Sequence, residues 1–339
     1  MVRYILRRIL QFIPVLLGVT LFTFVLMRAI PGGPFDFAGD RSLPPQVRAN
    51  MEAKYHLDWP MWKQFASYVI GDELLGEGTD GSKGVIRGDF GPSLHFRGQQ
   101  VSDIIKTTLP ISAQLGFMSV LLAVIIGIPA GIIAALNQNS WLDYVSTFGA
   151  VFFLSIPNLV LSPILIWIFA LKLGWFPVAT WGAKPPYLLG FLPRFEQMNK
   201  EFFAHAVMPV FALGTASAAQ IARLTRASLL QVVGEDYIRT ARAKGLRERV
   251  VIVVHALKNS LIPVVTILGP MFATLLTGTF IVETIFGING MGKHFVNSIG
   301  NRDYQVITGV TLIYAIVLVI ANLLVDVTYA WLDPRIRYD

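Results

Sequence analysis

Six stretches of this 339-residue chain are long and apolar enough to cross a bilayer. They fall at about 9–30, 111–136, 145–173, 206–224, 261–286 and 306–331. A helix of about 20 residues spans the hydrocarbon core. Lipid offers no hydrogen bonds to a backbone, so a single-segment span of this kind has to be helical. The pattern predicts an all-α polytopic membrane protein with six transmembrane helices. Charged residues make up only 14% of the chain, as expected where burying charge in lipid is costly.

Several spans are interrupted. Pro14, Pro129, Pro157, Pro163, Pro209 and Pro270 fall inside them, and each proline frees a carbonyl that a neighbour must satisfy. Pro110 is placed to open the second span. Gly127 and Gly131 form a GxxxG pair, which lets helices approach closely. Ser155, Asn158, Thr274 and Thr277 are polar residues of the spans and are candidates to line a translocation path. Glu283 and Asp326 lie near span ends, where a hydrogen bond to a neighbouring helix suffices to hold them.

Orientation follows from Lys and Arg in the short loops. With both termini cytoplasmic, thirteen basic residues lie inside against five outside. Eight of the thirteen fall between Arg223 and Lys258. Arg3, Arg7 and Arg8 precede a first apolar run too long for a signal-peptide core, which predicts an uncleaved first helix. The expected organisation is 1–30 as cytoplasmic N-terminus and first helix, 31–109 as an extracytoplasmic segment, and 110–339 as a core with five spans. Within the outer segment, 45–70 reads as helical and 71–88 as a Gly-rich, charged loop.

Few chemical motifs survive inspection. The chain has no cysteine and only five scattered histidines, which argues against metal or thiol chemistry. Gly287 to Lys293 fits GxxxxGK, but His294 stands where Ser or Thr should hold Mg²⁺, and a membrane helix precedes it. No nucleotide site is expected here.

The stretch EDYIRTARAKGLRER, 235–249, packs eight charges into fifteen residues between two apolar segments. Its acids come first and its bases later, the order that suits a helix dipole. Gly245 supplies a residue that readily closes a helix. A short helix over 235–244 follows, with Ile238 and Ala241 as its thin apolar side. So short a helix is marginal alone and needs a surface to dock on, in this chain or in a partner. The competing readings are a solvated basic loop touching anionic lipid and a DNA reader. The flanking spans argue against nucleic acid.

Asp236-Tyr-Ile-Arg-Thr-Ala-Arg-Ala-Lys-Gly245, followed by His255-Ala-Leu-Lys-Asn259, resembles the cytoplasmic EAA loop of ABC importer permeases, in particular the dipeptide/oligopeptide branch. Arg28-Ala-Ile-Pro-Gly-Gly-Pro34, Gly88-Asp-Phe-Gly-Pro-Ser93, Glu283 to Gly292, Asn301-Arg-Asp-Tyr304 and Asp333-Pro-Arg-Ile-Arg-Tyr338 are similar to other segments of that branch. Gly33 departs from it, replacing the acid of a PGDP motif.

The resemblance implies a type I ABC importer transmembrane domain in the plasma (inner) membrane of a prokaryote. Its partners would be a second homologous permease, two cytoplasmic ATPase subunits carrying ATP and Mg, an extracytoplasmic solute-binding protein and a peptide substrate. This chain itself would bind no cofactor and catalyse no reaction. Residues 235–259 would be the coupling loop and 235–245 the coupling helix: Glu235, Asp236, Tyr237, Arg239, Thr240, Ala241, Arg242, Ala243, Lys244 and Gly245. Glu235 and Asp236 are expected to hold the helix start, leaving Arg239, Arg242 and Lys244 free for the ATPase. Other solutes on the same machine (a nickel chelate, glutathione or a glycoside) and an ion-coupled carrier are the rival readings.

Overall fold

The computed structural model describes residues 2–30, 33–35, 45–76, 82–96, 98–178, 180–183, 187–188, 190, 192–278 and 280–332. Among these the regular structure is helical, with only isolated bridges between Pro92 and Gln100 and between Leu188 and Leu192. The principal helices up to the charged stretch are α1 (Val2–Ala29), α2 (Pro45–Lys54), α3 (Met61–Ile70), α4 (Val101–Leu136), α5 (Trp141–Ser155), α6 (Asn158–Leu165), α7 (Lys200–Val233) and α8 (Asp236–Ala243). Helices at Ile262–Gly278, Phe280–Ile285, Met291–Gly300 and Tyr304–Leu332 follow.

Among the described residues, five helices are long and apolar enough to cross a membrane. A sixth span requires counting one bent pair as a single crossing. That pair is α5 and α6, the latter continued by a π-helical turn at Ile166–Lys172. The span read at 145–173 is therefore a broken one, interrupted where Pro157 falls. The two arms meet at 100°. Ile156 takes an extended conformation (φ −87°, ψ 116°), which the following proline favours. Pro157 then offers no N–H to continue the ladder.

Pro110 also departs from expectation. It lies inside α4, which begins at Val101. The turns before Pro110 are amphipathic: Val101, Ile104 and Ile105 are buried, while Asp103 and Lys106 are exposed. A reading of lipid-length apolar runs passes over such a segment. The fourth span is likewise longer than its apolar run, because the Asn199 side chain caps α7 by accepting from the Phe202 N–H at 3.0 Å. Helices at 45–54 and 61–70 occupy the region read as helical.

The chain divides into two compact units, one of Met1–Arg8, Pro110–Asn289 and Val317–Asp339, the other of Ile9–Leu109 and Gly290–Ile316. In the first unit the core gathers Leu115, Met208, Leu213, Ile221, Val282 and Phe286, all nearly or fully buried. The GxxxG pair sets the approach of α4 to α7. A Cβ at Gly127 would sit 2.6 Å from the Ala218 carbonyl oxygen, and one at Gly131 2.5 Å from that of Ala222. Glu283 is fully buried, and the Ser112 hydroxyl donates to it at 2.6 Å. Arg8 lies 3.1 Å from Asp326. Both intramembrane acids are thus held by side chains of neighbouring helices.

In the second unit Phe24, Val101, Met291, Val306 and Val310 are buried. Asp303, fully buried, accepts from the Ser93 hydroxyl and from the backbone N–H groups of Leu94 and His95, both at 3.2 Å. One carboxylate thereby anchors the loop before α4 to the start of helix Tyr304–Leu332.

Candidate functional site

The charged stretch folds as a short helix. Glu235 stands at the N-cap of α8 and its backbone carbonyl accepts from the Ile238 and Arg239 N–H groups. Gly245 closes the helix in the left-handed region at φ +74°, where nothing lies near enough to hinder it. Ile238 is fully buried and Ala241 nearly so. They pack with Ala135, Leu229, Val251, Ile252 and Ala256, so the helix docks on this chain's own helix ends. Tyr237 adds a tie, its hydroxyl accepting from Asn259 Nδ2 at 2.8 Å.

The charges do not all behave as expected. The Glu235 side chain makes no capping hydrogen bond. Asp236 instead faces Arg239 one turn on, at 3.4 Å. Arg242 is not free: Nη2 and Nε donate to the two Glu248 carboxylate oxygens at 2.7 and 3.2 Å. This fork spans the Gly245 turn and ties α8 to the next helical run. The Arg242 guanidinium holds the Glu248 carboxyl below the usual carboxylate range, chiefly through these hydrogen bonds. Arg239, Lys244 and Arg247 are exposed. Thr240 donates back to the Asp236 carbonyl at 2.9 Å, and Ala243 lies on the exposed face.

The candidate path residues do not converge on one visible feature. Ser155 and Asn158 flank the bend at Pro157. The Ser155 and Thr274 hydroxyls each donate to a carbonyl four residues back, Val151 and Pro270, at 2.7 and 2.8 Å. The side chain of Thr277 lies outside the described residues. An apolar cavity of about 210 Å³ opens instead among α4, α5 and α7, lined by Gly127, Gly149, Phe153, Phe211 and Ala218. Ser155, Asn158 and Thr274 do not line it.

Sequence reading missed an ion pair. Arg226 Nε and Nη2 donate to the two Asp143 oxygens at 2.6 and 2.7 Å. The Asn139 N–H and the Thr147 hydroxyl complete the carboxylate. A count of loop Lys and Arg treats Arg226 only as an inside basic residue and takes no account of Asp143. The local signal was Ser140, which caps α5 by accepting from the Asp143 N–H. It marks the turn that fixes Asp143 at a helix start.

Two family models match the chain. Residues 127–338 match the binding-protein-dependent transport system inner membrane component. Residues 1–116 match the N-terminal part of such membrane components. The chain belongs to this family. It is a multi-pass membrane component of a transport system. The dipeptide transport system permease protein DppB of Bacillus subtilis is 42% identical over 337 residues, 99% of this chain and 98% of that protein. The oligopeptide permease proteins OppB of Salmonella typhimurium and Escherichia coli K12 are 41% and 40% identical over 338 residues, spanning the full length of both chains in each case. Among solved structures, the MetNI methionine ABC transporter in inward-facing form matches with a TM-score of 0.52 at 16% identity. That match covers 67% of this chain and 94% of the other, and it shows the shared transmembrane fold.

Proposed function

We propose that this chain is the permease subunit of an ATP-driven importer of di- and oligopeptides, and that α8 is the helix on which an ATPase subunit seats. End-to-end identity of about 40% to dipeptide and oligopeptide permeases supports the substrate class. One structural observation carries the coupling role. The apolar face of α8 is spent on its own chain, through Ile238 and Ala241, while Arg239, Ala243 and Lys244 remain exposed. A helix anchored from behind, and tied across Gly245 by Arg242 and Glu248, transmits force as a lever. A floppy basic loop does not.

In this reading the second pore-forming permease and the solute-binding protein are separate chains, and ATP and Mg belong to the ATPases. The N-terminus, the 235–259 loop and the C-terminus face the cytoplasm of a prokaryote, and 31–109 faces outward. The bend at Pro157 and the prolines of the other spans let the helices switch between inward- and outward-facing arrangements.

Reconstitution tests the proposal. Proteoliposomes carrying this chain, its second permease, ATPases and binding protein should take up a labelled dipeptide only with ATP inside the ATPase-facing compartment. Uptake by this chain without ATPases, or driven by an ion gradient, would sink it.

A further inference from the structure

The second unit holds a polar cavity of about 300 Å³ whose lining includes Arg28, His56, Tyr68, Asp72, Asp89 and Gln305. Among the described residues two of its groups are incompletely matched: a guanidinium without a close counter-ion and a buried hydroxyl without a hydrogen-bond partner. Arg28 stands at the end of α1 with its guanidinium 3.4 Å from the Phe24 ring centroid. Its hydrogen bonds go to neutral acceptors, Gln64 Oε1 at 2.8 Å and the Phe24 carbonyl at 3.5 Å, and among the described residues no carboxylate oxygen lies within ion-pair distance of it. Tyr68 is 5% exposed, and among the described residues its hydroxyl has no hydrogen-bond partner. Burial pushes this phenol's pKa up, so it stays a neutral donor.

The cavity also carries the opposite charge. Asp72 is buried and held by the Ser67 hydroxyl and the Ser82 N–H, with His56 Nε2 at 3.6 Å. Asp89 accepts from the Lys83 and Gly91 N–H groups, both at 2.9 Å. These bonds fix both carboxylates in place. A simple anion entering the cavity meets two carboxylates, and a simple cation meets Arg28. A molecule bearing both charges complements both.

We infer that this cavity binds a small zwitterion, a free amino acid or dipeptide, with its carboxylate on Arg28 and Tyr68 and its ammonium towards Asp72 and Asp89. The inference does not rest on the transport reading, because the site lies wholly within one unit and binding needs no ATPase. Charge-assisted bonds from a guanidinium fork and a buried hydroxyl supply the donors that a carboxylate requires.

The test is equilibrium dialysis of the full chain in lipid nanodiscs against labelled alanyl-alanine. Saturable binding is expected. Masking the carboxylate as the amide, or the ammonium by N-acetylation, should each weaken it by about tenfold or more. Tyr68→Phe removes a hydroxyl that has no partner, so the fold should be unharmed while binding falls about tenfold. Arg28→Gln should abolish binding. Absence of saturable binding, equal binding of either masked dipeptide, or unchanged binding in Tyr68→Phe overturns the inference. Unchanged binding in Arg28→Gln also overturns it, since the dipeptide would then sit elsewhere on the chain.

Discussion

Ile238→Ala should release α8 from its own chain while leaving the rest of the protein folded. Ile238 is fully buried among Ala135, Leu229, Val251, Ile252 and Ala256. Truncating such a side chain costs about 2–5 kcal/mol. The helix has only eight residues and no side-chain cap at Glu235, so it holds little stability of its own. A loss of about 3 kcal/mol raises the population of the undocked helix by roughly a hundredfold. Amide exchange resolves local opening of this kind from global unfolding. In nanodiscs, protection over 236–243 should fall by about that factor, while the Leu213 and Ile221 region of α7 should be unchanged. Ile238→Val, which costs about 1 kcal/mol, should fall between. Equal protection in all three proteins would refute the reasoning, because it would mean that α8 is held by something other than its apolar face.

Further outcomes follow from other contacts. Gly131→Leu should lower the thermal midpoint in detergent sharply, since even a Cβ there meets the Ala222 carbonyl at 2.5 Å, whereas Gly149→Ala, with nothing within 4 Å, should not. Arg226→Met removes the guanidinium from the Asp143 carboxylate and should lower stability in chemical unfolding, and adding Asp143→Asn should restore part of it. The Arg242–Glu248 tie has a pH signature. The folded-state pKa of Glu248 is depressed, so its stabilising contribution is present above the ordinary carboxylate range and is lost as pH falls through the lowered value. The protection factor around Gly245, corrected for the intrinsic pH dependence of amide exchange, should fall on acidification in the parent protein and stay constant in Glu248→Gln.

Much of this architecture is legible in the sequence because the bilayer sets a length that apolar runs must meet. Five helices lie where those runs lie, though their ends differ. The differences share a cause: capping and amphipathic turns, as at Asn199 and over 101–109, extend a helix beyond its lipid-matched part. The 100° bend is half legible, since Pro157 marks a break without fixing its angle. The charged helix is readable from dipole order and Gly245, and its two buried residues are the two that the sequence offers as an apolar side. The fates of Arg242 and Asp143 are not readable in the same way. A bidentate pair depends on where a turn brings a distant carboxylate, and charge counting treats both partners as solvated. The same holds for Arg28 and Tyr68, which lie forty residues apart in the sequence and share a cavity only after α1 and α3 pack around Phe24.

Site-specific cross-linking from α8 tests the central claim most directly. The chain has no cysteine, so Ala243→Cys places a single thiol on the exposed face of the helix. In membranes containing the assembled transporter, a short bifunctional reagent at this position should capture an ATPase subunit, and the yield should change when ATP is added. Capture of lipid alone, or of the extracytoplasmic binding protein, in a complex that still imports dipeptide would contradict the assignment of 236–243 as the coupling helix.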